Sequence, residues 1–414
     1  MDIKLPRTKS PSLRSSFERP VASPAGGRPS PAVVRDQLLR DQLQPLSVGP
    51  TTLRPDQRTR GDALLEMQQV LEGERLNEPT TYGSTVIRNP KDVTDNSDWD
   101  YREKRNALAK AQVAANAQLE ADALRRLSPT DRAAYLAIKD RLSAGQDAVA
   151  VLSLQKLLFT GALPGAQDGV NHGRLIDHLA SLVDGTAPLA PGVSRDGLLQ
   201  SLVQELATPT AIDQGPKGTC GPTTLLIELA MKNPAEYARL ALGLASPSGQ
   251  VTMVGGQVLT REPGTEGNDG SDRSVTQRLM GAALMEAAKP EAYDNATDAG
   301  TGTWGQDLAR LHQQLFGTSE VVKTAETPEQ RRAVTDAVLR EARAGHHTQL
   351  ILDVGGSLHW VLVVGVERRD GKEYLRVVNP YGQEELISPD EVARRTRGAN
   401  LPPDAIDEVV AVLG

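Results

Sequence analysis

The spacing of apolar residues divides the chain into a helical middle and a C-terminal third that is typical of β-sheet. From about residue 101 to Leu206 apolar positions recur at helical intervals, and Ser128 with Pro129 marks the start of one helix. After residue 345 the runs HTQLILDV, HWVLVVGVE and EYLRVVNP are rich in β-branched residues, which predicts three strands. Asp370-Gly371 joins the last two runs, so we expect an antiparallel meander with a tight turn there.

Shorter patterns predict further elements around these two regions. They are helices at about residues 62–71, 273–288, 304–316 and 328–344, a short helix after Ser388, a β-hairpin around Gly255-Gly256 and an edge strand in the C-terminal run DEVVAVL.

Together these patterns predict four parts, of which the last has an α+β fold. Residues 1–60 are rich in Pro, Ser, Arg and Gly and cannot bury enough apolar surface to offset the entropy of ordering, so we expect a disordered leader. A helical pattern at about residues 32–44 indicates a fluctuating helix there, or alternatively a binding segment. Residues 61–100 are predicted to be a linker with a short helix, 101–205 a helical domain, and 206–414 the α+β domain.

Charge and composition exclude several classes of function. The net charge is −7, and no Lys/Arg run with interleaved aromatic residues occurs, which argues against nucleic acid as a partner. No apolar run is long enough for a signal peptide or a membrane span. We therefore expect no membrane partner, and a protein that is cytoplasmic or exported without a cleavable signal peptide. One cysteine cannot form an internal disulfide.

The only cysteine, Cys220, lies where a nucleophile is expected. It follows a loop containing Gly215 and Gly218 and begins an apolar helical run, in IDQGPKGTCGPTTLLIELA. The positive end of the helix dipole and free backbone N–H groups would lower the pKa of a thiol there and stabilise an oxyanion. Gln214 supplies an uncharged amide that can donate a second hydrogen bond to that oxyanion. The alternative for this segment alone is a buried core cysteine.

His359 and Asn379 supply a candidate base and a residue that orients it. His359 stands at the start of a predicted strand, and its distance from Cys220 falls within the roughly 130–150 residues typical of papain-type enzymes. Asn379 ends the next strand, and the tight turn between them would bring the two strands side by side. Its side-chain oxygen can then accept from one ring nitrogen of His359 and direct the other towards Cys220. The alternative for Asn379 is a plain turn in NPYG.

The motif Gln214-Gly215-x-x-Gly218-x-Cys220, together with the later Asn-Pro-Tyr-Gly at 379–382, resembles the calpain-type pattern of the papain-like superfamily. Cys-Gly-Pro at 220–222 before an apolar helix also resembles the bacterial double-glycine leader peptidases. The resemblance covers about residues 206–414. It implies a papain-like fold, in which a helical subdomain with the cysteine helix packs on an antiparallel sheet carrying His359 and Asn379.

The resemblance also implies roles for the site residues. Cys220 would be the nucleophile, His359 the base, Asn379 the orienting residue, and Gln214 part of the oxyanion hole. Tyr381 stands where the family has a tryptophan and would shield the bond between Asn379 and His359. The sequence departs from the calpain-type pattern at position 221, where that family usually has an aromatic residue and this chain has glycine, and no calcium-binding residues can be matched.

The reaction that the resemblance implies is acyl transfer through a thioester, so we expect a cysteine peptidase acting on a peptide or protein substrate. A protein glutamine deamidase or transglutaminase uses the same three residues, and an inactive papain-like interaction module is a third alternative. The leader and helical middle suit a bacterial effector or toxin; a tail-tethered cytoplasmic enzyme and an autoprocessed precursor fit the same features.

No residues have convincing metal-ligand or cofactor-binding spacing. The nearest candidate is His346-His347 with Asp353 and His359, but adjacent histidines on a strand point to opposite faces. We expect no cofactor and no metal.

Overall fold

The structure is a computed structural model, and it describes residues 59–72, 80–82, 85–88, 98–289, 293–298 and 302–405. The chain forms two compact units, Met1–Ala63 and Leu64–Gly414. In the first unit only residues 59–63 are described. The predicted helix at residues 32–44 and the predicted DEVVAVL strand lie outside the described residues. The second unit carries every residue of the candidate site.

The described residues have an α+β fold with fourteen α-helices and ten strands. The helices are α1 (Arg60–Leu71), α2 (Asp98–Ala115), α3 (Ala117–Arg125), α4 (Pro129–Ala144), α5 (Ala148–Thr160), α6 (Ala162–Gly165), α7 (Leu175–Val183), α8 (Arg195–Ala207), α9 (Cys220–Lys232), α10 (Pro234–Ala245), α11 (Val275–Ala288), α12 (Gly305–Phe316), α13 (Pro328–Ala344) and α14 (Pro389–Arg395). The strands are β1 (Thr80–Tyr82), β2 (Thr85–Arg88), β3 (Gln250–Thr252), β4 (Val258–Thr260), β5 (Val321–Thr324), β6 (Thr348–Val354), β7 (Ser357–Arg369), β8 (Lys372–Asn379), β9 (Gln383–Ile387) and β10 (Thr396–Leu401).

Local capping chemistry sets the bounds of the helices that the sequence predicts best. Helix α13 begins after Thr327, whose hydroxyl accepts the N–H of Gln330 at 3.2 Å, and it ends at Gly345 with φ 82°. Ser128 caps α4 in the same way, accepting the N–H of Asp131 at 3.1 Å. These predicted helices are confirmed. No helix in the described part of the chain is both long and apolar enough to cross a membrane.

Eight strands form one antiparallel sheet in the order β1-β2-β9-β8-β7-β6-β10-β5. The predicted meander is confirmed in β6, β7 and β8, and Asp370 and Gly371 turn between the last two with φ 51° and 73°. The hairpin of β3 and β4 is confirmed as a separate sheet. The sequence patterns did not predict β5, β9 and β10, nor the strands β1 and β2 inside the predicted linker.

Helices pack on both faces of this sheet. On one face, Val334 and Val338 of α13 share a buried core with Val361 and Val363 of β7. Side chains alternate along a strand, so the intervening Leu362 faces the other way. The strand partner of Leu362 is Gln349, whose side chain donates to Glu228 of α9 at 2.6 Å. The cysteine helix α9 therefore lies on the face opposite α13.

Candidate active site

His359 and Asn379 lie together at the ends of two neighbouring strands. His359 is the third residue of β7, Asn379 is the last of β8, and His359 Nε2 lies 3.0 Å from Asn379 Oδ1. The backbone N–H of Tyr381 donates to the same oxygen at 3.2 Å. Because a backbone N–H can only donate, this atom is the amide oxygen and accepts both bonds. His359 Nε2 is therefore protonated, and Nδ1 is the basic nitrogen of the neutral ring.

The ring of Tyr381 covers the imidazole of His359. The two ring centroids are 5.2 Å apart and the planes differ by 9°, so the rings are stacked. His359 is only 5% exposed. Burial lowers its pKa and the Arg395 charge adds to this, while the hydrogen bond from Nε2 to Asn379 raises it; the net direction is below the ordinary value. The resting imidazole is neutral near pH 7.

Cys220 is the first residue of α9, where the sequence predicts a helix to begin, and its side chain is buried. The backbone N–H groups of Trp360, Gly221 and Cys220 itself lower the pKa of its thiol. Trp360 directly follows His359, so the thiol lies at the peptide bond that leads out of the candidate base. The structure thus places the predicted nucleophile beside the backbone of β7, at the residue that follows the predicted base.

The pKa of the Cys220 thiol lies above its ordinary value, whereas the sequence predicted a lowered pKa. Burial raises its pKa above the ordinary value, and the three backbone N–H groups that lower it do not compensate. The predicted lowering by the helix N-terminus is therefore wrong in its net direction, because desolvation of the thiolate outweighs the backbone N–H groups. With His359 shifted towards its neutral form as well, the resting pair is a thiol and an imidazole.

Two backbone links tie the cysteine loop to the loop after Asn379. The N–H of Gln214 donates to the carbonyl oxygen of Pro380 at 2.7 Å, and Asp213 forms an antiparallel bridge with Tyr381. These links connect the segment before the cysteine helix to the end of β8. They explain how residues far apart in sequence converge on one site.

The side chain of Gln214 lies in this loop and is 2% exposed. Its Nε2 donates to the carbonyl oxygen of Lys217 at 2.7 Å, while its Oε1 has no hydrogen-bond partner among the described residues. An amide nitrogen carries two hydrogens, so one remains for a further acceptor. One Nε2 hydrogen of Gln214 therefore has no acceptor among the described residues.

Gly221 faces Thr303, which lies between α11 and α12, and Leu308 of α12. A Cβ built at this position would overlap Oγ1 of Thr303 and approach Leu308 to 3.1 Å. The carbonyl oxygen of Thr303 also accepts the indole N–H of Trp360 at 3.0 Å. Thr303 therefore occupies the space beside the cysteine where the calpain-type pattern has an aromatic side chain.

Glu385 is a site residue that the sequence analysis did not single out. It lies in β9, is 6% exposed, and its Oε1 accepts the amide N–H of Asn379 at 2.7 Å. Nothing in the local run QEELI separates this glutamate from a surface residue. Its register opposite Val377 places it on the same face as Asn379.

Within the described ranges, no three His, Cys, Asp or Glu side chains lie close enough together to hold a metal ion. His346 Nδ1 instead lies 2.7 Å from a Glu341 oxygen, and His347 lies 3.9 Å from Glu228. Neither histidine is joined to the site at His359.

No protein-family model matches this sequence, and no curated protein is similar to it, so the geometry of the site carries the functional conclusion.

Proposed function

We propose that this chain is a papain-like cysteine peptidase that hydrolyses a peptide or protein amide through a thioester on Cys220. The bond from His359 Nε2 to Asn379 Oδ1 carries this proposal, because it leaves Nδ1 as the basic nitrogen of the ring. The N–H of the next residue, Trp360, lowers the pKa of the Cys220 thiol, which supports a position of that thiol near the base. The cysteine helix on one face of the sheet, and the histidine and asparagine on adjacent strands, support the same fold assignment.

The reaction begins from the neutral pair. As the Cys220 sulfur attacks the carbonyl carbon, its proton passes to His359 Nδ1, and the oxyanion is held by the N–H of Cys220 and the free amide hydrogen of Gln214. The imidazolium then protonates the leaving amine, which departs and leaves the acyl group on sulfur. Water, deprotonated by His359, hydrolyses the thioester and restores the thiol.

An activated ester tests thioester formation without knowledge of the natural substrate. Incubation with p-nitrophenyl acetate should release p-nitrophenolate and add about 42 Da to the single thiol, seen by intact-protein mass spectrometry. Cys220→Ala should abolish the adduct, and His359→Ala should slow its formation by about 10²–10⁴-fold. His346→Ala is the matched control, since that histidine is exposed and bonded to Glu341, and it should leave the rate unchanged.

A second experiment identifies the bond that is broken. A bacterial or host lysate is incubated with the protein or with Cys220→Ala and analysed by mass spectrometry. New peptide termini that require Cys220 support the peptidase, whereas a gain of about 1 Da on glutamine without new termini indicates a deamidase. If His359→Ala forms the acetyl adduct as fast as the unchanged protein, the catalytic assignment is overturned and an inactive module is the better conclusion.

A further inference from the structure

The buried carboxyl of Glu385 lies directly behind the pair formed by His359 and Asn379. Asn379 presents its oxygen to His359 and to the Tyr381 N–H, and its Nδ2 to Glu385 at 2.7 Å. Both ends of one amide are thus bonded on opposite sides. The NH₂ end of the Asn379 amide points to the Glu385 carboxyl. When that carboxyl is ionised, it can accept hydrogen bonds but cannot donate them.

The orientation of this amide decides which nitrogen of His359 is the base. If the amide rotated by 180°, Nδ2 would face Nε2 of His359 and the N–H of Tyr381. Such contacts between donors would favour the opposite tautomer, in which Nδ1 carries the proton and cannot take one from Cys220. An acceptor behind Asn379 prevents this rotation, because a rotated amide would also place its oxygen against the carboxylate.

We propose that Glu385 is a positioning residue that fixes the Asn379 amide, and through it the base-competent tautomer of His359. This proposal rests on the proposed function, because the tautomer affects catalysis only if His359 is the base. The tautomer itself can be measured without any enzymatic activity. Glu385 touches neither the thiol nor a substrate carbonyl. Its effect passes through the 2.7 Å bond to Asn379 and the 3.0 Å bond from there to the imidazole.

Among the described residues, the cationic side chain that acts on the Glu385 carboxyl is that of Arg395. Burial raises the pKa of its carboxyl, while the bond from Asn379 and the charge of Arg395, on α14, lower it; the net direction is above the ordinary value. Arg395 is itself anchored to the backbone oxygen of Asp353 at 3.3 Å. The ionised carboxylate excludes the rotated amide, whereas a protonated carboxyl can pair with either orientation, so the orienting effect should be strongest at the alkaline end of the pH range of the test.

The first test compares two replacements of Glu385 with a matched control. Nitrogen-15 NMR of the His359 ring reports its tautomer without any substrate, and acetylation of Cys220 by p-nitrophenyl acetate reports its consequence. Glu385→Leu removes the acceptor, so a mixed tautomer and an acetylation rate about 10- to 100-fold lower are expected. Glu385→Gln keeps an acceptor oxygen, so the Nε2–H tautomer should remain and the rate should fall by only about threefold.

The control is Glu384→Leu, a change at the neighbouring buried carboxyl, which binds Arg376 at 3.1 Å instead. Its loss should lower stability while the His359 tautomer and the acetylation rate per folded molecule stay unchanged. An unchanged tautomer in folded Glu385→Leu would overturn the proposal.

A second pair of variants remains informative if Glu385→Leu does not fold. Asn379→Asp sets two acceptors against each other at the 379–385 contact and should slow acetylation by about 10-fold or more. Adding Glu385→Gln lets residue 385 donate and residue 379 accept, the reverse of the native pair. The double variant should therefore regain the Nε2–H tautomer and at least part of the acetylation rate. A double variant no better than Asn379→Asp would show that the two side chains do not act through one bond.

These outcomes distinguish the positioning role of Glu385 from the peptidase activity. If the tautomer responds as expected while no thioester forms in any variant, Glu385 positions His359 and the peptidase proposal fails. If thioester formation needs Cys220 and His359 but the tautomer ignores Glu385, the peptidase proposal stands and the positioning role fails.

Discussion

The phenol ring of Tyr381 lies parallel to the imidazole of His359, with 5.2 Å between ring centroids. The backbone N–H of the same tyrosine donates to Asn379 Oδ1, so one residue both covers the base and helps to fix its partner. Water that reached the bond between His359 and Asn379 would compete for the amide oxygen. The stacked ring therefore protects the tautomer on which the proposed chemistry depends.

Removal of this ring should weaken catalysis more than removal of its hydroxyl. We expect Tyr381→Ala to reduce the acetylation rate of Cys220 by about 10-fold, since the lost stacking and the admitted water each cost on the order of 1 kcal/mol. Tyr381→Phe keeps the ring and should stay within about threefold of the unchanged protein. Equal losses in both variants would mean that the hydroxyl, rather than the ring, is the important group.

The acidity of Cys220 gives a prediction about pH. Burial raises the pKa of this thiol and lowers that of His359, so the thiolate becomes populated only above the ordinary thiol range of about 8.5. The rate of alkylation by iodoacetamide should rise throughout pH 6–9, with a midpoint higher than that of the same single thiol in urea-denatured protein. A rate already constant between pH 5 and 8 would reveal a thiolate–imidazolium pair and contradict this.

The sequence predicted the elements whose causes are local. The hydroxyl of Thr327 and the glycine at position 345 set both ends of α13, and the Asp370-Gly371 turn sets the hairpin of β7 and β8. Those signals lie within a few residues of the structure that they determine. The proximity of His359 to Asn379 followed from that hairpin, and it could therefore be proposed from sequence.

Features that depend on distant partners could not be predicted. The strand β9 reads as polar because Glu384 and Glu385 find their partners, Arg376 and Asn379, only after the sheet forms. The acidity of Cys220 was predicted in the wrong direction because the helix dipole is visible in sequence, while burial of the thiol is a property of the whole fold. Both failures arise from the same cause, the environment created by long-range packing.

The buried carboxyl of Glu320, near Glu228 of the cysteine helix, should make the free energy of unfolding depend on pH. Burial first, and then the charge of Glu228, raise the pKa of Glu320 to about 8, although the charge of Lys232 opposes them. Between about pH 4.5 and 8 the folded protein holds a proton that the unfolded chain has released, so the free energy of unfolding falls as pH rises through this window. Above the folded pKa the dependence ends.

Replacement by glutamine should remove this dependence. At pH 8 we expect Glu320→Gln to be more stable than the unchanged protein by about 1–3 kcal/mol, and its free energy of unfolding to change less between pH 5 and 8. Urea unfolding at several pH values measures this, with Glu326→Gln, at an exposed position, as control. A parallel pH profile in both variants would refute the assignment.

The contact between Gly221 and Thr303 should be visible as an energetic coupling. Alanine is favoured over glycine in a helix by about 1 kcal/mol, so Gly221→Ala would stabilise α9 if the space beside it were open. Because the added methyl group would overlap Thr303 Oγ1, we expect Gly221→Ala instead to lower the free energy of unfolding by about 1–3 kcal/mol.

Thr303→Ala supplies the second arm of a double-mutant cycle. The hydroxyl of Thr303 has no hydrogen-bond partner within the described ranges, so its removal alone should cost only about 1 kcal/mol or less. In the double variant the methyl group of Ala at 221 enters the vacated space, and most of the loss caused by Gly221→Ala should be recovered. A coupling energy of about 1 kcal/mol or more by urea unfolding would establish the contact. Additive effects would mean that Thr303 does not fill the position beside Cys220 and does not exclude an aromatic side chain there.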